Sequence, residues 1–321
     1  MSVYKRFTLK KKKREGSDAE EGEEPRNTTV DGEIIPKQSL EGEMPTFFHV
    51  GRWAKQCLTT GYGIGAWHID CTTNVSEKLG LYSFGSAKPD FYNVAGGVGI
   101  REKLGIFNLY QTWQTQGWLS TIGVRTEAAG GLANAMLRAT YIPQNNDGVN
   151  VELYSGYERP PVKFDVIIPI WNVPKFMGYV LLHLADKYMF AYRSVFNIND
   201  LEFEKHVLCL GYQDENYEYG LKLEDFKELR GSMFLRVGER WAFALKAHLY
   251  REQGRHFSVG GQYKIHDDGL FKMRIRDDGF LGLVYQAVLS ENIDIMYHVG
   301  VNAKSPLDGS HKFGVSWSLK C

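Results

Sequence analysis

Residues 311–319 read HKFGVSWSL, and this stretch decides the fold. Successive side chains of a β-strand point to opposite faces, so a strict alternation of residue types marks a two-faced strand. An unpaired apolar edge invites aggregation, and closing a sheet into a barrel removes the edge. The stretch therefore predicts the last strand of a closed barrel. Its apolar face comprises Phe313, Val315, Trp317 and Leu319, and its small or polar face comprises Lys312, Gly314, Ser316 and Ser318.

The same alternation recurs along the chain back to residue 63. Trp67, Ile69 and Cys71, for example, oppose His68 and Asp70. Nineteen such segments lie between residues 63 and 320, each close to the roughly 9 to 11 residues of a tilted membrane-spanning strand. A soluble propeller would repeat every 40 residues or so, and a sandwich of this size would divide into two domains. Neither feature is present, so we predict an all-β transmembrane barrel over residues 63–321.

The two faces of these strands predict the surroundings of their side chains. If the apolar face meets lipid, the polar face lines a wet lumen and no charge is buried in the bilayer. The strand residues predicted to line the lumen are His68, Asp70, Lys246, Lys264, Lys272, Arg274 and Lys312.

Composition excludes several other classes. The 34 glycines and 13% aromatic residues favour short strands and tight turns. No apolar run reaches the roughly 18 residues of a spanning helix, so we expect neither a helical anchor nor a cleaved signal peptide. Basic and acidic residues number 38 each, which indicates no nucleic-acid partner. The cysteines are scattered, which is typical of unpaired thiols, at Cys57, Cys71, Cys209 and Cys321.

The N-terminal region differs from the strands. Residues 1–44 contain a basic block, an acidic block and few apolar side chains, which predicts a disordered charged tail. Residues 45–62 are predicted to form an amphipathic helix and a glycine joint, with Pro45 near the start and Gly61 at the stop. Apolar residues recur there at three- and four-residue spacing, at Phe47, Val50, Ala54, Cys57 and Leu58.

The joint reads Gly61-Tyr62-Gly63-Ile64-Gly65. It lacks the spacing of a dinucleotide fingerprint and follows no strand, so we interpret it as a flexible connection.

The sequence contains no recognisable catalytic set. The segments His266-Asp267-Asp268 and Arg276-Asp277-Asp278 have the composition of turns, and the nine histidines are scattered. Serine, histidine and aspartate do not form a known motif. We therefore expect no enzyme activity, no metal site and no cofactor.

Several segments form a distinctive combination when taken in order. They are Pro45-Thr46-Phe47 through Gly51-Arg52 and Lys55, the glycine joint, Gly85-Ser86-Ala87, Phe280-Leu281-Gly282-Leu283 with Tyr285, and His311-Lys312-Phe313-Gly314 with Leu319. In this order they resemble the mitochondrial porin family, the voltage-dependent anion channels of the outer membrane. The resemblance covers roughly residues 45–321, and the chain looks like a divergent member with an N-terminal extension.

This resemblance implies a nineteen-stranded barrel, a strand number for which the family is the known case. The odd number implies parallel pairing of the first and last strands, and the helix is implied to lie in the lumen. The implied function is a voltage-gated pore in the mitochondrial outer membrane for ions and metabolites, nucleotides such as ATP and ADP included. Protein partners beyond the lipid bilayer are not indicated.

The resemblance also implies roles for individual residues. The helix and joint residues implied to line or gate the pore are Arg52, Lys55, Gln56, Gly61, Gly63 and Gly65. The implied insertion signal consists of Lys312, Phe313, Gly314, Val315, Trp317 and Leu319. The implied nucleotide contacts are Arg52, Phe280, Leu281, Gly282, His298, Val299, Gly300, Val301 and Asn302.

Departures from the family pattern remove positive charge. Thr60 and Ala133 stand where the family has lysines, and residues 145–148 replace a lysine-rich turn. Outside the tail, bases and acids nearly balance, so we expect weak ion selectivity that leans, if to either side, toward cations. The lipid-facing glutamate that members often carry near the fourth strand has no counterpart in residues 103–106.

Two other functions are compatible with such a barrel. One is a protein-translocating outer-membrane barrel, which would call for a more elaborate N-terminal region and a surface for partner proteins. The other is a non-conducting structural or interaction barrel. Recording conductance in a planar bilayer separates the pore from the second alternative, and cross-linking to a presequence peptide separates it from the first.

Overall fold

The computed structural model describes residues 44–63, 65–87, 94–115, 117–143, 148–250, 254–307 and 311–320. The predicted tail lies outside these residues except for Met44, which is buried. Ile64, residues 145–147 and Cys321 also lie outside them. Nineteen strands form one closed sheet, and their bounds are β1 Trp67–Ser76, β2 Leu79–Ala87, β3 Val94–Leu104, β4 Phe107–Gln114, β5 Gly117–Ala128, β6 Gly131–Tyr141, β7 Val149–Arg159, β8 Val162–Trp171, β9 Lys175–Leu184, β10 Tyr188–Asn197, β11 Glu202–Gln213, β12 Tyr217–Glu224, β13 Glu228–Val237, β14 Trp241–Tyr250, β15 Gly254–His266, β16 Gly269–Arg276, β17 Phe280–Ser290, β18 Ile293–Asn302 and β19 Lys312–Lys320.

The barrel closes through a parallel pair. Strands that follow one another in sequence pair antiparallel, whereas β1 and β19 run parallel, with Trp67 opposite Val315 and Thr72 opposite Lys320. Across this seam, Ser318 Oγ donates a hydrogen bond of 2.7 Å to Asp70 Oδ1. The prediction of a nineteen-stranded barrel with parallel first and last strands is confirmed.

The two faces of β19 are also as predicted. Phe313 and Trp317 are 62% and 39% exposed on the outer face, whereas Gly314 and Ser316 are buried on the inner face. A period of two produces this difference directly. The same alternation fixes the inner and outer faces of the neighbouring strands through their register.

The predicted helix is present but interrupted. A single 3-10 turn spans Phe47–His49, and helix α1 spans Arg52–Leu58. Between them Gly51 has φ of 76°, a left-handed conformation that breaks a continuous helix and that glycine adopts without steric cost. All five apolar residues that carried the helix prediction are buried: Phe47, Val50, Ala54, Cys57 and Leu58.

The structure also locates the aspartates and cysteines that the sequence analysis considered. Asp267, Asp268, Asp277 and Asp278 lie in turns, as their composition suggested. Within the residues described, Cys57, Cys71 and Cys209 form no disulfide with one another. The same part of the chain contains no helix long and apolar enough to cross a membrane.

Candidate functional site

The N-terminal segment lies along the inner wall of the barrel. Its 3-10 turn contacts β9 and β10, and α1 contacts β13, β14, β15 and β16. Tyr62, in the joint, packs against Val284 of β17 and Met296 of β18. The segment therefore follows the wall from β9 to β18, inside the lumen.

Apolar packing holds most of this segment. Phe47 and Val50 pack into a cluster with Tyr179 and Leu181. Burying an apolar side chain of this size contributes roughly 1.5–3 kcal/mol, so packing accounts for most of the docking free energy. The second cluster, under α1, comprises Ala54, Cys57, Leu58, Phe234, Ala242 and Ala244, with Trp53 at its edge.

Glycines on the wall let the segment approach closely. A Cβ atom at Gly260 would lie 2.7 Å from Leu58 Cδ2, and one at Gly282 would lie 2.6 Å from Tyr62 Cδ1. We call the wall glycines that the segment crosses the glycine track: Gly211, Gly220, Gly260 and Gly282. Sequence reasoning missed the track, although glycine at inward positions of successive strands could have indicated it.

Polar side chains of the wall bind both ends of α1. Glu218 Oε2, on β12, accepts hydrogen bonds from the backbone nitrogens of Trp53 (2.8 Å) and Ala54 (3.1 Å). At the other end, on β16, Arg274 Nη1 donates to the Leu58 carbonyl over 2.7 Å and Lys272 Nζ to the Gln56 carbonyl over 3.4 Å.

We call Glu218, Lys272 and Arg274 the polar clamp. Free N–H groups at a helix start and free carbonyls at its end attract opposite charges, and the clamp supplies an acid at the first and bases at the second. Lys272 and Arg274 were predicted to face the lumen. Glu218 was missed, because nothing local in the sequence links it to a helix far away in the chain.

The predicted gating residues of the helix and joint have different surroundings. Arg52 Nη1 lies 3.0 Å from His49 Nε2. Lys55 is partly buried and Gln56 is exposed toward the lumen. Gly61 has φ of 92° and a Cβ there would lie 2.6 Å from Met296 Sδ, whereas a Cβ at Gly63 would meet no atom within 4 Å. Gly65 is partly buried.

Three predicted lumen residues do not offer an accessible surface: Lys272 is 6% exposed beside α1, and the other two lie on β1. His68 and Asp70 are 2% and 5% exposed on the inner face of β1. Their side chains lie 3.4 Å apart, and Asp70 also binds Ser318. They therefore belong to a packed polar cluster at the β1–β19 seam, and the prediction that they line an open pore is wrong in that respect.

Three of the predicted lumen lysines are more accessible. Lys246 is partly buried. Lys264 is exposed and lies 2.7 Å from Asp267 in the adjoining turn. Lys312 Nζ lies 5.4 Å from the centre of the Phe280 ring.

The residues implied to contact nucleotides divide between both faces. Leu281, Val299 and Val301 point to the outside of the barrel because they alternate with inward residues, so their side chains cannot meet a solute in the lumen. Arg52 lies at the other end of α1, beside β12. The inward members of the set are Phe280, Gly282, His298, Gly300 and Asn302.

His298 is nevertheless enclosed rather than open to the lumen. It is fully buried, and its ring centre lies 6.0 Å from that of Tyr62. The guanidinium carbon of Arg274 lies 4.4 Å from the centre of the Tyr62 ring. The joint therefore covers two of the inward residues of the predicted nucleotide stretch, Gly282 and His298.

Basic and acidic residues differ in where they lie, because bases predominate on the inner wall and many acids lie in turns. From β12 to β19, the inward acids within the described residues are Glu218, Glu224, Glu228 and Asp294. Many other acids of this sector lie in turns, at Asp214, Glu215, Asp225, Glu239, Asp267, Asp268, Asp277, Asp278 and Glu291. The inward bases are more numerous: Lys222, Arg230, Arg236, Lys246, Lys264, Lys272, Arg274, Arg276, Lys312 and Lys320.

Among the described residues, the outer face near the fourth strand carries one carboxylate. The outward residues of β4 are neutral, with Gln111 between Leu109 and Trp113. Glu102 points outward from β3, close to the turn that leads into β4. It lies just before the segment in which the sequence showed no counterpart to the family glutamate.

These features define the class of the protein. A closed barrel with an apolar exterior, a charged lumen and an internal helix is a pore-forming β-barrel of an outer membrane. The family model described as "Eukaryotic porin" matches residues 43–314, and the chain belongs to the eukaryotic porin family.

Several known proteins are similar to the chain. The chain is 23% identical to the "Voltage-dependent anion-selective channel" of Drosophila melanogaster over 86% of its own length and 99% of that protein. It is 24% identical to the human "Non-selective voltage-gated ion channel VDAC1" over 84% of its length and 96% of that protein. Among solved structures, a mutant of the Rh. blastica porin matches with a TM-score of 0.48 and 9% identity, covering 73% of this chain and 96% of that one.

Proposed function

We propose that the protein is a voltage-gated diffusion pore of the mitochondrial outer membrane that passes small ions and metabolites, nucleotides such as ATP and ADP included. The names of the fly and human relatives support channel activity and voltage dependence. The observation that carries the proposal is the placement of α1 in the lumen, bound at both ends by charged wall residues. A helix held in this way can occupy or leave the conduction path.

The polar contacts of α1 are weak enough for the membrane voltage to act on them. Moving one charge through the whole membrane field changes the free energy by about 2.3 kcal/mol per 100 mV. Arg52 and Lys55 supply two such charges on α1. Hydrogen bonds to charged groups are worth roughly 1.5–3 kcal/mol each, so voltages on the order of 100 mV can compete with the polar clamp.

We also propose a preference for anions. The net charge of the whole barrel suggested weak selectivity. Permeating ions, however, respond to the charges of the inward-facing side chains and not to the net charge. A low-dielectric wall focuses the field of its fixed charges onto the lumen, and inward bases outnumber inward acids from β12 to β19. The same field attracts nucleotide phosphates.

The test is planar-bilayer recording of the purified protein and of a variant that lacks residues 45–60. We expect the intact protein to conduct and to close at raised voltage of either sign, and the variant to conduct with weak or absent voltage dependence. The conductance–voltage curve is the readout, and correct barrel assembly is checked by circular dichroism in vesicles.

Two results would contradict the proposal. A correctly assembled barrel without conductance would leave a structural or interaction role. An unchanged conductance–voltage curve in the deletion variant would remove the N-terminal segment from the gate.

A further inference from the structure

A groove of about 650 Å³ crosses the outer face of the barrel from β9 to β14. Two rows of outward side chains border it, each row running across neighbouring strands by direct register. The first row is Phe190, Leu210, Leu221, Gly231 and Ala247. The second, nearer the β9–β10 and β11–β12 turns, is Tyr188, Tyr212, Tyr219, Met233 and Leu245. We call this feature the outer groove.

The outer groove exists because two of its positions have small side chains. A Cβ built on Gly231 would meet no atom within 4 Å, so the surface there is open. Ala247 is the direct partner of Gly231 on β14. The lining is otherwise aliphatic or aromatic, and the volume falls within the range of ordinary ligand pockets, roughly 300–1,000 Å³. A hydrocarbon chain is the chemistry that such a lining accepts.

One end of the outer groove has a different character. Tyr188 and Tyr212 have ring centres 5.2 Å apart, and those of Tyr212 and Tyr219 are 6.2 Å apart. Tyr212 Oη donates to Asp214 Oδ2 over 3.3 Å, and Lys187 Nζ lies 3.2 Å from Asp214 Oδ1. Three aromatic rings, one carboxylate and one ammonium therefore meet where the groove reaches the turns.

We propose that the outer groove binds one phospholipid with a choline headgroup. Faces of aromatic rings attract quaternary ammonium ions, and a neighbouring carboxylate strengthens that attraction. The trimethylammonium group lies against Tyr188, Tyr212 and Tyr219 beside Asp214, the phosphate lies toward Lys187, and an acyl chain follows the groove to Gly231. The zwitterionic headgroup matches the pair of opposite charges at the turns, which a headgroup with only negative charge does not.

The test uses phosphatidylcholine that carries a photoactivatable diazirine in one acyl chain, as a trace component of phosphatidylglycerol vesicles containing the full-length protein. Cross-linked peptides are identified by mass spectrometry. We expect labelling to concentrate on β10–β14 and to fall when unlabelled phosphatidylcholine, but not additional phosphatidylglycerol, is included. Labelling spread evenly around the barrel, or equal competition by both lipids, would overturn the proposal.

Variants separate the groove from the general lipid surface. Gly231→Leu fills the groove, and we expect at least fivefold less labelling. Gly178→Leu is the matched control, because Gly178 also points outward, on β9, and a Cβ there would meet only a Phe176 ring carbon at 4.0 Å. Tyr212→Leu should lower the preference for choline over glycerol headgroups about two- to fivefold. Equal labelling of the two glycine variants would also contradict the proposal.

Discussion

The Glu218 carboxylate lies 2.8 Å from the backbone nitrogen of Trp53, 165 positions away in the chain. A residue of the barrel wall thereby caps the first turn of the internal helix. Glu218 is 1% exposed, so this contact has little competition from water. Polar contacts therefore fix both ends of α1, through one buried acid at its start and two bases at its end.

Replacing Glu218 with Gln should loosen the helix. The amide keeps one acceptor but loses the charge, which should weaken docking by roughly 1–2 kcal/mol. We expect the conductance–voltage curve to shift toward smaller voltages, measured in planar bilayers. Glu228→Gln is the control, because Glu228 is an inward acid on the next strand that pairs with Arg230. An equal shift in both variants would show that only the lumen charge matters.

Cys57 can report whether α1 is docked. Burial raises the pKa of its thiol to about 11, with Lys272 acting in the opposite direction. The reactive thiolate is therefore scarce at pH 8, and maleimide should label the docked helix slowly. A released thiol regains a pKa of about 8.5, which increases the thiolate fraction by up to about two orders of magnitude.

We therefore expect Glu218→Gln and Arg274→Gln to accelerate labelling of Cys57 at pH 8. The measurement uses a background without Cys71, Cys209 and Cys321, and Glu228→Gln again serves as the control. Equal labelling rates in all variants would mean that the polar clamp does not hold the helix.

The glycines of the joint should differ in their tolerance of alanine. Gly61 has φ of 92°, and its Cβ would crowd Met296, whereas the position of Gly63 is open. Gly61→Ala should destabilise the docked segment by at least about 1 kcal/mol, and Gly63→Ala should have little effect. The effect of each variant is measured as the change in the voltage at which the channel closes. Similar behaviour of the two variants would contradict the close packing of the joint at Gly61.

The lipid-facing side of β19 should resist charge. Val315 lies on the outer face between Trp67 and Tyr297. Val315→Arg should cost about 2–4 kcal/mol near the bilayer midplane, measured by reversible urea unfolding in vesicles. Val315→Leu should cost little. A cost for arginine no larger than that for leucine would place Val315 away from the hydrocarbon.

Ion selectivity should depend on the bases of the wall. Reversal potentials under a potassium chloride gradient should show a preference for chloride at low salt. The preference should weaken as added salt shortens the screening length, which is about 10 Å at 0.1 M. Replacing Lys222, Lys246 and Lys312 together with Gln should lower the chloride-to-potassium permeability ratio by about a factor of two or more. Replacing Glu228 with Gln should raise it. A cation preference in the unmodified protein would contradict the proposed role of the wall.

The strands could be predicted because their evidence is local. From Phe313 to Leu319, apolar residues alternate with small or polar ones, and the same rule identifies the inner and outer faces of every strand. The apolar positions of the N-terminal segment were also evident. The break at Gly51 was not, because glycine tolerates helical and left-handed conformations and only packing on the wall decides between them.

The contacts that form the candidate site could not be predicted from the spacing of residues in the sequence. Alternation could place Glu218 on the inner face of β12, between Tyr217 and Tyr219, but not opposite the start of α1. Charge balance over the whole barrel concealed the difference between wall and turns. The family resemblance implied that Val299 and Val301 contact nucleotides. The alternation of side chains along β18 places both on the outside of the barrel.

The parallel pairing of β1 and β19 has a consequence for assembly. Most pairings join successive strands and can form as local hairpins, but Asp70 and Ser318 meet across 248 positions, and such long-range closure is entropically expensive and slow. The seam should therefore form last. Because α1 is attached to the start of β1 and contacts β13 to β16, a helix that docks before closure holds β1 near the C-terminal strands with which the seam must form.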